Sequence, residues 1–119
     1  MKNMDQIRAR NALRASGEKE FKGKDGGEVV KKVPTLIRDN GLMAAMAFAL
    51  DKNEGMKNVL DAVAEHLSDP EIARLPGEIR TTEQWLDYLA HKATSAQLRD
   101  QTSEGLAYLS YLRRFARKG

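Results

Sequence analysis

The chain has 119 residues and no cysteine, so it can fold as one domain with a real core but cannot form a disulfide, a thiolate metal site or a cysteine nucleophile. Its longest apolar run, Leu42–Leu50, is far shorter than a membrane span, and its polar N-terminus lacks a signal-peptide apolar region, which together predict a soluble cytoplasmic protein. The net charge of +3 is unevenly distributed: residues 41–95 hold five Lys/Arg against nine Asp/Glu while both flanking segments are basic, which suits a polyanionic partner such as nucleic acid and equally an ordinary solvated surface.

The N-terminal segment predicts one helix and one loop. Met4, Ile7, Ala12 and Leu13 recur at roughly helical spacing, and this helix is expected to stop at Ser16 and Gly17. Residues 17–27 follow, with four glycines among alternating charges. A mobile, charged, Gly-rich loop is therefore expected there.

Apolar residues at helical spacing from Val29 predict a second helix, which ends at Asn40 and Gly41 because both residue types favour a left-handed C-cap. Pro34 falls inside this helix, where a proline removes one hydrogen bond and clashes with the preceding turn. The helix therefore either kinks at Pro34 or begins afresh there. The next segment, Leu42–Leu50, is apolar on every side and is predicted to be the buried central helix.

Two further helices precede the last one. Residues 56–67 carry apolar side chains at helical spacing and predict an amphipathic helix. Residues 70–80 hold two prolines, so a short helical turn at most is expected there. Thr81 and Gln84 have the spacing of a capping box, which predicts that a helix with Trp85 on its apolar face begins at this point.

The last helix is predicted to run from Ser95, its N-cap, to Lys118, a length of about 35 Å at roughly 1.5 Å per residue. Its predicted inward face consists of Leu98, Thr102, Gly105, Leu106, Leu109, Leu112 and Ala116. A separate polar stripe consists of Arg99, Ser103, Ser110, Arg114 and Arg117. The aromatic residues Tyr108, Tyr111 and Phe115 are interpreted as core or subunit contacts rather than base-stacking groups. With no strand-like alternation, residues 1–119 read as a single all-α domain, a compact bundle of five or six helices.

The features of an enzyme are missing from the sequence. His66 and His91 lie on different predicted helices and border their apolar stripes, so each is interpreted as a satisfied or solvent-facing side chain. Two acidic pairs have i, i+4 spacing, Asp61 with Glu65 and Asp100 with Glu104. Such pairs are typical of solvated helix faces. No catalytic residue, metal site or cofactor is predicted.

Basic residues on helices are the remaining functional signal. They are Arg8, Arg10 and Arg14 on the first helix, Lys31, Lys32 and Arg38 on the second, and Arg99, Arg113, Arg114 and Arg117 on the last. If these three helices pack together, their charges could merge into one surface that follows a phosphate backbone.

Two runs carry a resemblance to a known family. One is PTLIRDNGL at residues 34–42 followed by Ala47-Phe48, and the other is TSEGLAYLSYLRRFA at residues 102–116; RARNAL at residues 8–13 adds a weaker match. Together they resemble the small subunit of the type III-B (Cmr) CRISPR RNA-guided effector complex. The resemblance implies a helical bundle without activity of its own. Its copies would stack head to tail beside other Cmr-complex subunits, along the guide RNA and target RNA.

By this resemblance, the expected RNA-binding residues are Lys31, Lys32, Arg38, Arg113, Arg114 and Arg117. The charge asymmetry adds the hypothesis that the acidic middle of one copy meets the basic end of the next. Two alternatives stay open: a helical protein-protein adaptor, and a helix-turn-helix DNA-binding regulator with Asn40-Gly41 as its turn. Residues 42–50 weigh against the regulator, because they include no polar side chain that could read base edges.

Overall fold

Six α-helices make up most of the residues that the computed structural model describes, which are 3–18 and 28–116. They are α1 (Met4–Glu18), α2 (Glu28–Asn40), α3 (Leu42–Lys52), α4 (Glu54–Ser68), α5 (Thr82–His91) and α6 (Ser95–Ala116). No strand occurs within these two ranges. The prediction of an all-α bundle of five or six helices with a long C-terminal helix is confirmed.

The first helix is longer than predicted. It continues through Ser16 and Gly17 to Glu18, so residues 17 and 18 are helical and not part of the predicted loop. Glycine lowers the stability of a helix interior by about 1 kcal/mol, but this cost is tolerated near a helix end, where few hydrogen bonds remain to be made. The rest of the predicted loop, residues 19–27, lies outside the described residues.

The central helix of the bundle is α4 rather than α3. Nine of the fifteen residues of α4 are buried, and it contacts each of the other five helices. By contrast, α3 lies at the surface, where Ala44 and Ala47 are exposed and Phe48 is 45 % exposed. The prediction that residues 42–50 form the buried central helix is therefore wrong. Apolar composition is a poor guide here, because a helix can also bury polar side chains that are hydrogen-bonded inside the protein. In α4, His66 is such a side chain.

The proline in α2 does not start a new helix. Pro34 is buried inside a single helix that runs from Glu28 to Asn40. The turn into α3 is made by Gly41, whose φ of +91° and ψ of 157° are conformations that side-chain-bearing residues rarely adopt. Its N–H donates to the carbonyl of Ile37 at 2.8 Å, which closes the end of α2. The predicted end of α2 at Gly41 is thus confirmed, but ψ lies in the extended region that only glycine readily adopts at this φ, and not in the left-handed helical region.

The segment between α4 and α5 is irregular but packed. Ile72, Leu75 and Ile79 are buried there, and the carbonyl of Leu67 accepts bonds from the N–H groups of residues 74 and 75. This agrees with the prediction of a short helical turn at most. The predicted capping box at the start of α5 is confirmed, since Thr81 and Gln84 exchange side-chain to backbone hydrogen bonds of 3.2 and 3.3 Å.

The buried face of α6 differs in part from the predicted one. The N-cap is Thr94 rather than Ser95, because Thr94 and Gln97 exchange reciprocal bonds of 2.8 and 3.1 Å. The buried residues are Gln101, Glu104, Gly105, Tyr108, Leu109, Leu112 and Ala116. Leu98, Thr102 and Leu106 are only half-buried. Compared with the prediction, the buried face of α6 is therefore shifted around the helix to include Gln101 and Glu104. Both of these side chains bond to buried partners.

Candidate functional site

The expected RNA-binding residues lie at the surface wherever the structure describes them. Lys31, Lys32 and Arg38 are exposed on the side of α2 away from its buried apolar face. Arg113 and Arg114 are exposed in the last turn of α6, where positive charge also complements the helix dipole. Arg117 lies outside the described residues.

These cations are placed on neighbouring helices, because α2 packs against α6. Lys31 forms an ion pair with Glu28 of its own helix at 3.4 Å, and both side chains are substantially exposed. Within the described ranges, Lys32, Arg38, Arg113 and Arg114 form no ion pair. Four of the expected RNA-binding side chains are thus available to an external anion. We call these four residues the basic set.

The arginines of α1 do not all add to this set. Arg8 donates from Nε and Nη2 to both carboxylate oxygens of Glu104, at 2.8 and 2.7 Å, and from Nη1 to Asp5 at 2.9 Å. Arg10 donates to Asp69 at 2.7 Å and to Glu71 at 2.6 Å. The hypothesis that α1 extends the basic surface is therefore wrong for Arg8 and Arg10, whose charges are neutralised within the fold.

One member of each acidic pair of the sequence, Glu104 and Asp61, is not an ordinary solvated group either. Glu104 is buried, with 4 % of its side chain exposed. Asp61 accepts bonds of 2.7 Å from both the backbone N–H and the hydroxyl of Thr82, and it pairs with Lys57 at 3.0 Å. Asp61 therefore anchors the start of α5 to α4. The i, i+4 spacing could not reveal either role, because Arg8, His66 and Thr82 all lie on other segments of the chain.

A buried polar network centres on His66 of α4. The imidazole ring is fully buried and stacks on the ring of Tyr108, with centroids 4.3 Å apart and an interplanar angle of 14°. Its Nδ1 lies 2.9 Å from Nδ2 of Asn11, and its Nε2 lies 2.9 Å from a carboxylate oxygen of Glu104. The interpretation of His66 as a satisfied histidine is confirmed.

The orientation of Asn11 fixes the tautomer of this histidine. Arg10 Nε donates to the amide oxygen of Asn11 at 3.1 Å, so the amide nitrogen faces Asp69 and His66. Because an amide nitrogen can only donate, Nδ1 of His66 accepts. The ring proton therefore lies on Nε2 and is donated to Glu104. The network joins α1, α4, α6 and the segment after α4.

The other histidine is solvent-facing, as the second half of that interpretation expected. His91 is exposed in the last turn of α5, and its Nδ1 lies 3.2 Å from the carboxylate of Asp87, itself exposed. Within the described ranges, no group of three or more His, Asp or Glu side chains is arranged to hold a metal ion. None of the helices described combines the length and the apolar character that crossing a membrane requires.

The charged hydrogen bonds of the network shift the pKa of its carboxyl groups. Burial alone would raise the pKa of Glu104, but the bonds from Arg8 and His66 outweigh burial and lower it to about 2. Burial likewise opposes ionisation of Asp69, yet bonds from the backbone of Glu71 and from Asn11 lower its pKa below the ordinary value. Both carboxylates are therefore ionised throughout the neutral range.

We expect this protein to lose stability in acid because of Glu104. The pKa of this group is depressed in the folded state, so its contribution is fully present above the unfolded value near 4.5 and is lost as pH falls towards 2. The loss should be about 3 kcal/mol across that window. Urea unfolding at several pH values between 6 and 2.5 measures it. A Glu104→Ala variant should show a much flatter dependence, and an equally steep one would contradict the assignment.

Three buried polar residues were not predicted to be buried: Asn11 and Glu104 of the network, and Gln101, which bonds to Trp85. The spacing of Gln101, Glu104, Tyr108 and Leu112 at intervals of three and four does mark one helical face. The predicted inward face does not include Gln101, Glu104 or Tyr108. The sequence signal for their burial was that Gln101 and Glu104 lie on the same helix face as Tyr108 and Leu112.

Comparison with known proteins gives a family and a solved structure. Residues 4–118 match the family model described as CRISPR-associated protein (Cas_Cmr5). The chain is also similar to the crystal structure of a CRISPR-associated Cmr5 family protein from Thermus thermophilus, with 27% sequence identity, a TM-score of 0.74, and coverage of 98% of this chain and 97% of that one. No curated protein gives a significant match.

Proposed function

Since the chain belongs to the Cmr5 family of CRISPR-associated proteins, the small subunits of the type III-B Cmr complex, we propose that it is a non-catalytic subunit whose copies stack along the guide and target RNA of that complex. Other Cmr subunits are its partners, and the cytoplasm is its place of action. The RNA phosphates are contacted by the exposed cations of α2 and α6. Arg117, adjacent in sequence to that end of α6, is included in the proposal.

The observation that carries this proposal is the unpaired state of the basic set. Lys32, Arg38, Arg113 and Arg114 are exposed and form no ion pair within the described residues, whereas Arg8 and Arg10 are paired with carboxylates of the same chain. Surface cations that bind no anion of their own chain can exchange counterions for phosphates at little cost. The fold thus separates structural arginines from arginines available to RNA.

The expected affinity of one copy is low. Each phosphate contact contributes only about 0.7 to 0.9 to the slope of log affinity against log salt, so four contacts support weak, salt-sensitive binding. Copies held side by side on one RNA share its length, which raises their effective concentration. A subunit of this kind depends on its neighbours for stable RNA contact.

We expect neutralisation of the basic set to reduce the salt dependence of RNA binding. Anisotropy titrations of a labelled RNA at low ionic strength give the slope for the wild type and for Lys32→Gln/Arg38→Gln and Arg113→Gln/Arg114→Gln. Each double variant should lower the slope by about 1.4 to 1.8, the value for two lost phosphate contacts.

The matched control is Lys52→Gln/Lys92→Gln, which removes two exposed cations outside the basic set. Its slope should stay within error of the wild type. Equal losses for all three double variants would mean that RNA senses only net charge. An unchanged slope for both test variants would remove the basic set from the RNA contact.

The helix-turn-helix alternative has less support from the structure. In that reading α3 would follow the Asn40-Gly41 turn as the recognition helix, but its exposed positions up to Phe48 are Ala44, Ala47 and Phe48 itself. None of these side chains can donate or accept a hydrogen bond, so they cannot distinguish base edges in the major groove. One observation favours the adaptor alternative: the exposed face of α3 is apolar.

A further inference from the structure

The outer face of α3 has the composition of a protein-binding surface. From Gly41 to Leu50 the chain carries no charged residue, yet α3 exposes Ala44, Ala47 and Phe48. Surface alanines are explained by helix propensity alone, but a phenylalanine that is 45 % exposed is not. Depletion of charge around an aromatic side chain is what distinguishes the core of a protein interface. The nearest cation, Lys52, lies one turn after Phe48 and pairs with Asp51 at 3.7 Å, so the face offers no net positive charge to a phosphate backbone.

A second exposed apolar side chain lies on another part of the molecule. Leu13 of α1 is 57 % exposed and, with Phe48, completes the large hydrophobic side chains exposed among the described residues. The helix α1 packs against α6 and α4, whereas α3 packs against α2, α4 and α5. Leu13 and Phe48 are therefore exposed on two helices that share only α4 as a neighbour.

The surroundings of the two side chains are complementary in shape and charge. Leu13 has Ala9 and Gly17 one turn away on either side, and Phe48 has Ala44 one turn before it, so each large side chain stands beside small ones. Arg14 follows Leu13 and is exposed, while Asp51 lies one turn after Phe48. Arg14 forms no ion pair among the described residues, and Asp51 has only the exposed Lys52 at 3.7 Å.

We propose that the α1 face around Leu13 of one copy docks on the α3 face around Phe48 of the next copy, with Arg14 meeting Asp51. Such a contact uses different patches on the two partners, so it is heterologous and can repeat without closing. It rests on the proposed function, because it supplies the surface through which stacked copies touch. It also assigns the contact to faces separate from the basic set on α2 and α6.

The size of the patches explains why the contact belongs to the assembled complex. A stable interface buries roughly 800 Å² on each partner, and one large side chain with its small neighbours supplies only a fraction of that area. Free copies are therefore expected to stay apart, while copies aligned on one RNA are held at the effective concentration that a weak contact needs.

Disulfide cross-linking within the native complex tests the proposal. The chain has no cysteine, so a Leu13→Cys/Phe48→Cys double variant introduces the only thiols of this subunit. A disulfide requires Cα atoms within roughly 7 Å, which makes it a strict test of contact. Mild oxidation of complexes purified through a tag on this chain should give a ladder of dimers, trimers and longer species. Each single-cysteine variant, and the control pair Leu13→Cys/Ser103→Cys, should stay monomeric on a denaturing gel.

Other outcomes overturn the proposal in distinguishable ways. A dimer from Phe48→Cys alone would mean that α3 faces meet symmetrically. The absence of a ladder in complexes that hold several copies would place the stacking contact elsewhere and leave the proposed function intact. Complexes with one copy of this chain would remove the stack itself, and with it both proposals.

Charge exchange provides a second test of the same contact. Arg14→Asp or Asp51→Arg in the double-cysteine background should reduce the ladder several-fold, because like charges would then face each other across the contact. Combining the two reversals should restore it. Equal ladders in all four backgrounds would exclude the pairing of Arg14 with Asp51.

Discussion

Replacing Glu104 with alanine is expected to lower the free energy of unfolding by about 3 to 5 kcal/mol. The substitution removes the carboxylate that receives two bonds from Arg8 and one from His66, and it leaves both donors without that partner. His66 cannot recover its bond from solvent, because its side chain is fully buried. Arg8 keeps Asp5 and is 20 % exposed, which places the loss nearer the lower value.

Asp100 provides the matched control for Glu104. It lies one turn earlier on the same helix and also pairs with an arginine, Arg74, at 2.9 Å, but half of its side chain is exposed. Asp100→Ala should therefore change stability by less than about 1 kcal/mol. Urea unfolding followed by circular dichroism measures both variants. Similar losses for the two would mean that burial of the Glu104 network contributes nothing beyond an ordinary surface pair.

A double substitution separates the cost of leaving Arg8 without a partner from the stabilisation that the Arg8–Glu104 pair itself provides. Breaking a buried pair on one side is costly, but replacing both partners with apolar groups of similar size is often neutral. Arg8→Met in the Glu104→Leu background should therefore recover part of the stability that Glu104→Leu loses. If no recovery is seen, His66 rather than Arg8 dominates the dependence on Glu104.

The existence of the helices was predictable because it depends on local signals. The apolar period, the glycine at position 41 and the capping box at Thr81 each act within about one turn, so the sequence carries them openly. The identity of the central helix is not local. Residues 42–50 are more apolar than α4, yet α4 is the helix that the other five helices contact. Two of these contacts are polar, since Asn11 of α1 and Glu104 of α6 bond to His66.

The candidate site was likewise predictable only in part. Exposure of Lys32, Arg38 and Arg114 follows from their position opposite an apolar stripe, and the structure agrees. The removal of Arg8 from the basic surface could not be foreseen, because its partner Glu104 is 96 positions away in the chain. Helical periodicity reports which side of one helix is buried, and it contains no information on which charges meet across helices.

Trp85→Ala is the second substitution from which we expect a large loss, of about 3 to 5 kcal/mol. The indole is fully buried, and it is the largest side chain of α5 in the core. Its removal leaves a cavity that a ten-residue helix held by few other buried side chains, chiefly Leu89, cannot refill. Thermal unfolding followed by circular dichroism gives the loss, since the tryptophan signal is absent in the variant.

The indole N–H adds a specific term that Trp85→Phe isolates. Nε1 donates to the side-chain oxygen of Gln101 at 2.9 Å, and the amide nitrogen of Gln101 donates in turn to the carbonyl of Arg74 at 3.0 Å. Gln101 is 1% exposed, so Trp85→Phe leaves its oxygen buried without a donor, a loss of about 1 to 3 kcal/mol beyond the lost volume. Gln101→Leu in the Trp85→Phe background should then be less destabilising than Gln101→Leu in the wild type. Additive losses would show that the bond does not couple the two side chains.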